Sequence, residues 1–198
     1  MRIMAQQQAD LPNTHGGVRG VINDNATDAE TRLAKPDKAR VGFVDLNDAA
    51  TAITPISVSA DTWTPLTNDT LGAFTNTDYL PEGVTDIFSS DQFDFSELSV
   101  GDMVNIRADI TVTTANQNQI IKLRLKSALG TAFEFTTLYG EVFVKSAGEH
   151  EYQFFNGVYI GSADVLNNPA QFEVFSDDDM DVVVNGWFIQ LLLRGEAS

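Results

Sequence analysis

The chain has 198 residues, no cysteine and a formal net charge of −16. The first fact suits one domain with a short extension, and the second excludes disulfides, thiolate nucleophiles and Cys-type zinc or iron–sulfur sites. The third disfavours nucleic acid and anionic membranes as partners, since a strongly acidic field repels phosphates.

Residues 1–40 contain no aromatic residue, whereas all 19 aromatics lie between Phe43 and Phe188. The same boundary splits the charge: six Lys/Arg against five Asp/Glu before it, six against 23 after it. The organisation expected is an extended N-terminal arm, residues 1–40, and one acidic folded domain, residues 41–198. The arm carries Pro12, Gly16, Gly17, Gly20 and Pro36, breakers spaced too closely for long elements. Thr27 with Glu30 three residues on has the form of a capping box for one helical turn up to Leu33. Ile3, Met4, Leu11, Val18, Val21, Ile22 and Leu33 are scattered through the arm, which suits a tether inserted into grooves of a partner; a spacer with no specific contacts is the other reading. The opening residues lack the apolar stretch of a secretory signal, so synthesis in a cytoplasm is expected. No run approaches the length of a membrane span.

From Val41 the period becomes two. Short strands are predicted within 52–59 and 92–95. Val104, Ile106, Ala108, Ile110 and Val112 then alternate with polar residues, and Ile121, Leu123 and Leu125 alternate with Lys122, Arg124 and Lys126. The short polar link between the two runs suggests an antiparallel hairpin, with Asp109 facing Arg124 and Arg107 facing Lys126 if Asn116–Gln117 is its turn. Further strands are expected over 133–138, 142–145, 151–160, 172–175 and 182–193, with no helix among them. The fold class is all-β, a sandwich or barrel. On the last strand both parities are apolar: Val183, Trp187, Ile189 and Leu191 against Val182, Val184, Phe188 and Leu192. Phe155 and Tyr159 repeat the pattern on the strand predicted over 151–160. A sandwich strand with two apolar faces implies a covered outer face, by another subunit or by a loop or the arm. The interface residues expected for an oligomer are Phe155, Tyr159, Val184, Phe188 and Leu192.

The runs Tyr79-Leu80-Pro81-Glu82-Gly83, Phe93-Asp94-Phe95-Ser96-Glu97-Leu98 and Val100-Gly101-Asp102-Met103-Val104-Asn105-Ile106 resemble trimeric jelly-roll domains of the TNF/C1q-like type found in tailed-phage virion proteins. The closing run Asn185-Gly186-Trp187-Phe188-Ile189-Gln190-Leu191 is similar to theirs as well. The resemblance spans roughly residues 52–194. It implies a double-sheet jelly roll, a homotrimer with a threefold axis lined by apolar residues of the inner sheet, and a place on the virion's outer surface. There the chain would serve as capsid decoration or head fibre, held to a capsid or other virion protein by its arm. The chain has neither a collagen-like stalk nor cysteine, which speaks against a complement-like or cytokine role.

Enzymatic chemistry is poorly supplied. The two histidines are His15, in the arm, and His150, in Gly148-Glu149-His150-Glu151, a solvated turn. No phosphate-binding glycine motif stands between a strand and a helix. The chain is therefore expected to be no enzyme and to need no cofactor. Calcium is the one ion with a candidate site, because Asp177, Asp178, Asp179 and Asp181 offer hard oxygen ligands; the other reading is a solvated turn where Asp is favoured anyway. Lys122, Arg124 and Lys126, with Arg107 beside them, are either a self-balanced face or a patch that docks on acid. Trp63 and Tyr79 either pack internally or stack on a surface glycan, as in the receptor-binding tip of a fibre.

Overall fold

The computed structural model describes residues 41–194. All expectations placed on residues 1–40 lie outside the described residues. Twelve strands and two short helices follow in order: β1 (Val41–Asn47), α1 (Ala50–Ile53), β2 (Ile56–Val58), β3 (Thr62–Pro65), β4 (Thr75–Asn76), β5 (Phe88–Ser89), β6 (Gln92–Phe93), β7 (Met103–Thr114), β8 (Gln119–Ser127), β9 (Phe135–Val144), β10 (Gly148–Tyr159), α2 (Ala163–Asn167), β11 (Gln171–Ser176) and β12 (Met180–Leu192).

One sheet runs β10-β7-β12-β1-β4 with β2 also paired to β12, and the second runs β3-β11-β8-β9. β5 and β6 form a separate hairpin whose turn residues Ser90 and Asp91 both have positive φ, 52° and 62°, as a two-residue primed turn requires. The chain crosses between the sheets at β7→β8, β9→β10, β10→β11 and β11→β12, which is the connectivity of a double-sheet jelly roll. The all-β jelly roll implied by the resemblance is thus the fold of the described residues.

The expected β7–β8 hairpin is not formed. β7 pairs with β10 and β12, and β8 with β11 and β9, so the two strands face each other across the core. Alternation identifies a strand's buried face but not its hydrogen-bonded neighbour, and both runs satisfy the pattern equally well in opposite sheets. The cross-strand charge pairs disappear with the hairpin. Arg107 pairs instead with Asp109 on its own strand, and Arg124 with Glu173 of β11. The two runs predicted at 133–138 and 142–145 belong to the single strand β9. The first predicted strand, 52–59, is part helix, and α2 was absent from the sequence reading.

The inward residues of β7, from Val104 to Val112, meet Ile121, Leu123 and Leu125 of β8 and Phe172 and Val174 of β11. Trp187 fills the centre, stacked on Phe172 at 4.9 Å and edge-on to Phe93 at 5.5 Å; Tyr139 meets Phe172 edge-on at 4.5 Å. Such tilted and offset contacts add to the area term that aromatic burial supplies. Burial also pushes the Tyr139 hydroxyl well above its usual pKa.

One irregularity decides which residues face outward. The β12–β7 register shifts between Val184 and Gly186, so the buried parity changes from Val182 and Val184 to Trp187, Ile189 and Leu191. At the same place the other flank of β12 passes from β2 to β1. The gap is closed by α1: Thr51 Oγ1 accepts from Val184 N at 3.1 Å and donates to Val184 O at 2.8 Å, while Asp48 N donates to Asn185 O at 3.1 Å. Asp48 holds α1 in turn by accepting from Ala50 N. Burial raises the Asp48 carboxyl above the usual range, with neighbouring Asp69 acting in the same direction. Gly186 is required by the close approach of β1, since a Cβ there would stand 2.2 Å from Leu46 O.

Candidate assembly face

The outer face of the β10-β7-β12-β1 sheet can be read from its registers as rows running across the strands. The first row is Tyr159, Met103, Leu192, Val41, and the second Gly157, Asn105, Gln190, Phe43. The third is Phe155, Arg107, Phe188, Asp45. No charged residue stands in the first two rows. Beyond the third, the rows turn polar through Gln153 and Asp109, then Glu151 and Thr111 with Val183 beside them, then Glu149, Thr113 and Asp181. The face is graded: apolar where the chain enters at Val41, acidic at the other end.

Aromatic rings continue along it. Tyr79 stacks on Phe43 at 4.8 Å, and Phe43 lies 5.6 Å from Phe188, over whose ring the Arg107 guanidinium sits at 5.3 Å. Several of the polar groups among these rings are already paired with one another. Arg107 makes three hydrogen bonds to the Asp109 carboxylate at 2.8–3.0 Å, Asn105 Nδ2 donates to Gln190 Oε1 at 3.1 Å, and Asn185 Nδ2 donates to Thr111 Oγ1 at 2.9 Å. A surface with its polar groups satisfied in advance loses little when water is removed.

Four of the five interface residues named from sequence lie on this face. Phe155 and Tyr159 are 61% and 59% exposed, and Phe188 and Leu192 are half-buried. Val184 is the exception: contrary to the expectation from alternation, it is 0% exposed, part of the chain's own core. The bulge explains the error, because strict alternation through residue 185 assigns Val184 to the same face as Phe188 and Leu192. Val41, Phe43 and Met103 were missed. β1 offered the signal, as Val41, Phe43 and Val44 put apolar side chains on both its faces. β9 also displays Phe135, Leu138 and Phe143, exposed along its length.

The other candidates disperse. The Asp177 carboxylate accepts from Ile120 N, Asp178 from Asn116 Nδ2, Asp179 from Ala60 N and Asp181 from Ser57 Oγ. The Asn116 bond, with a second from Asp179 N, holds Asp178 below the usual carboxylate range. The four aspartates thus cap separate backbone and side-chain donors, and among the described residues no group of three or more His, Cys, Asp or Glu converges on one point.

The basic stripe is balanced within the chain. Lys122 pairs with Glu141 at 3.3 Å, Arg124 with Glu173 at 2.6 Å, and Lys126 with Glu134 at 2.9 Å. Arg107, expected beside them, lies on the opposite sheet. Trp63 is covered by Arg124, whose guanidinium stands 3.8 Å from the ring centre, and by Phe175 at 5.4 Å. Tyr79 is exposed on one side and stacked on Phe43 on the other. His150 places Nε2 2.9 Å from the carbonyl of Ser146.

Fold and face together define a jelly-roll body with a graded, largely apolar outer sheet. No protein-family model matches the chain, and no curated protein matches it. Among solved structures it is similar to a chain of the infectious bursal disease virus Gx strain, with 13% identity over 80% of this chain and 34% of that one, at a TM-score of 0.42. It is similar also to the PRD1 vertex protein, with 15% identity over 80% and 100% of the two chains and a TM-score of 0.37. A third is Eiger TNF from S. frugiperda, with 9% identity over 80% and 94% and a TM-score of 0.41. The chain spans about a third of the length of the first two bursal disease virus chains it matches, 34% and 32%. Among the described residues no helix is long and apolar enough to cross a membrane.

Proposed function

We propose that this chain is a non-enzymatic structural protein of a tailed-phage virion: a homotrimer whose jelly-roll body stands on the outer surface of the particle, as capsid decoration or head fibre. Residues 1–40 would be its anchor, with Ile3, Met4, Leu11, Val18, Val21, Ile22 and Leu33 inserted into a capsid or other virion protein. The host cytoplasm is the site of synthesis in this reading.

The observation that carries it is the outer face of the β10-β7-β12-β1 sheet. Aromatic and aliphatic residues there fill two rows without a charged residue, and several of the polar groups among them are paired with one another, a composition suited to burial against protein rather than to water. The phage part rests on the sequence resemblance. The anchor rests on the contrast between a coreless, near-neutral arm with scattered apolar residues and an acidic body. A glycan-binding fibre tip has less support, because Arg124 occupies the ring face of Trp63 that a sugar would need.

Light scattering on the purified full-length chain tests the oligomer. A mass near three times 21.6 kDa is expected, and a monomer at micromolar concentration would remove the trimer. Particles bearing the chain should lose it when residues 1–40 are deleted while the truncated body keeps its oligomeric state. Undiminished incorporation of the truncated body would remove the anchor.

A further inference from the structure

In an Asn-Gly pair the glycine nitrogen can attack the preceding carboxamide with little hindrance, because glycine carries no Cβ. The chain has two such pairs, Asn156-Gly157 in β10 and Asn185-Gly186 in β12. Exposure alone would select the second, since Asn185 is exposed and Asn156 is half-buried. The geometry selects the first.

β10 lies at the margin of its sheet, paired with β7 on one side. The Gly157 N–H is turned away from β7 and donates to Asn156 Oδ1, 2.8 Å away. Asn156 Nδ2 donates in turn to the Leu138 carbonyl of β9 at 3.3 Å. These two bonds fold the carboxamide back over the peptide that follows it. A carbonyl bond is about 1.2 Å long, so Asn156 Cγ stands at most about 4 Å from the Gly157 nitrogen. Rotation about Cβ–Cγ, a broad two-fold torsion, presents the carbonyl face to that nitrogen.

Asn185 is held the other way. Its Nδ2 donates to Thr111 Oγ1 of the neighbouring strand β7 at 2.9 Å. Gly186 is buried, with Asp109 of β7 on one side and Asn47 of β1 on the other, and a Cβ there would stand 2.2 Å from Leu46 O. A peptide enclosed between two strands has no room to pivot towards its side chain.

We infer that Asn156–Gly157 is a self-modification site, at which Gly157 N closes on Asn156 Cγ, and that the fold protects Asn185–Gly186. The bond from Gly157 N to Cγ forms as the bond from Cγ to Nδ2 breaks, and the Gly157 amide proton leaves with the NH2 group as ammonia. Water then opens the five-membered imide. Hydrolysis at Cγ leaves aspartate at position 156; hydrolysis at the backbone carbonyl leaves isoaspartate, whose main chain runs through Cβ and is one atom longer. Water is the co-reactant, and nothing is oxidised or reduced. Either product adds a negative charge and removes the amide donor that ties β10 to the Leu138 carbonyl.

The test ages the full-length wild type at mildly alkaline pH, folded in one sample and in guanidinium chloride in another. Peptide mapping by mass spectrometry then follows the Asn, aspartate and isoaspartate forms at both positions. In the folded chain Asn156 should convert faster than Asn185 by about tenfold or more, and the two rates should converge in the unfolded chain. Equal rates in the folded chain, or a folded Asn156 as inert as Asn185, would overturn the inference. The wild-type urea midpoint should fall in step with conversion. Asn156→Gln, which would have to close a six-membered ring, should keep its midpoint over the same period. A wild-type midpoint unchanged at full conversion would overturn the release of the β9–β10 tie.

Discussion

Thr51→Val is the substitution that most directly tests how the two flanks of β12 are joined. Valine keeps the shape and the β-branch of threonine but removes the hydroxyl that accepts from Val184 N and donates to Val184 O. Both backbone groups are buried, since Thr51 is 6% and Val184 0% exposed, and the strands on either side end before they reach them. A buried donor or acceptor left without a partner costs about 1–3 kcal/mol, so the two together should cost about 2–6 kcal/mol. For a domain of this size, at about 2–4 °C per kcal/mol, that corresponds to a fall in Tm of about 4–24 °C. Urea unfolding followed by tryptophan fluorescence is suitable because Trp187 directly follows the bulge. Protein concentration must be held fixed, because association adds to apparent stability. Thr51→Ser, which keeps the hydroxyl, should lose about 1 kcal/mol through its missing methyl. If valine costs less than serine, the hydroxyl is not what closes the gap.

Arg124→Met should destabilise the body by about 1–3 kcal/mol, because it leaves the buried Glu173 carboxylate with only Lys126, 3.7 Å away; it should also uncover Trp63, detectable as faster acrylamide quenching. The Glu97 carboxylate is held below its usual range first by the Thr85 hydroxyl and then by the backbone N–H groups of Thr85 and Asp86. Its contribution is present above the unfolded-state value and is lost as pH falls through the lowered folded value. Glu97→Gln should therefore be less stable than wild type at pH 7, with the difference in urea midpoint shrinking as pH falls through the carboxylate range. Millimolar calcium should leave the Tm unchanged, because the four aspartates of the 177–181 segment engage separate donors. A rise of several degrees, abolished by Asp179→Asn, would show that they can regroup around an ion.

The buried faces of β7 and β8 were legible because each alternates over five and three apolar positions, and burial follows alternation whatever the neighbour. Pairing was not legible for the same reason: a strand's partner depends on register and connection geometry, and a four-residue link serves a hairpin or a crossover between sheets. Val184 shows a second limit. Its side chain is turned inward by a bulge that Gly186 permits and Thr51 supports, and nothing in the alternation of residues 182–193 marks where the parity changes. Phe155, Tyr159, Phe188 and Leu192 were found because an apolar residue on the solvent parity of a strand needs no partner strand to stand out. The acids of the 177–181 segment mark the opposite failing. Their number suggested a shared ion, but the strand ends beside them supply enough N–H and hydroxyl donors to occupy each separately.

The proposed association of so acidic a body needs an electrostatic explanation. The folded part carries 23 acids against six cations, so copies brought together repel one another unless their charges stay outside the contact. On the outer face Glu149, Glu151 and Asp181 stand in the rows farthest from Val41, and Arg107 and Asp109 neutralise each other between the two ends. The attractive part is then apolar and insensitive to salt, while the repulsive part acts over distances comparable to the Debye length, about 10 Å at 0.1 M salt and about 3 Å at 1 M. Raising NaCl from 0.05 to 0.5 M should therefore strengthen the oligomer, measured as a lower midpoint concentration in sedimentation equilibrium. An interface built on charge pairs would weaken over the same range. Glu151→Gln, which removes one of the repelling acids and leaves the apolar rows intact, should reproduce part of the salt effect at low ionic strength. Weaker association in that variant would mean that Glu151 meets a cation across the contact, and the apolar rows would lose their place as the driving surface.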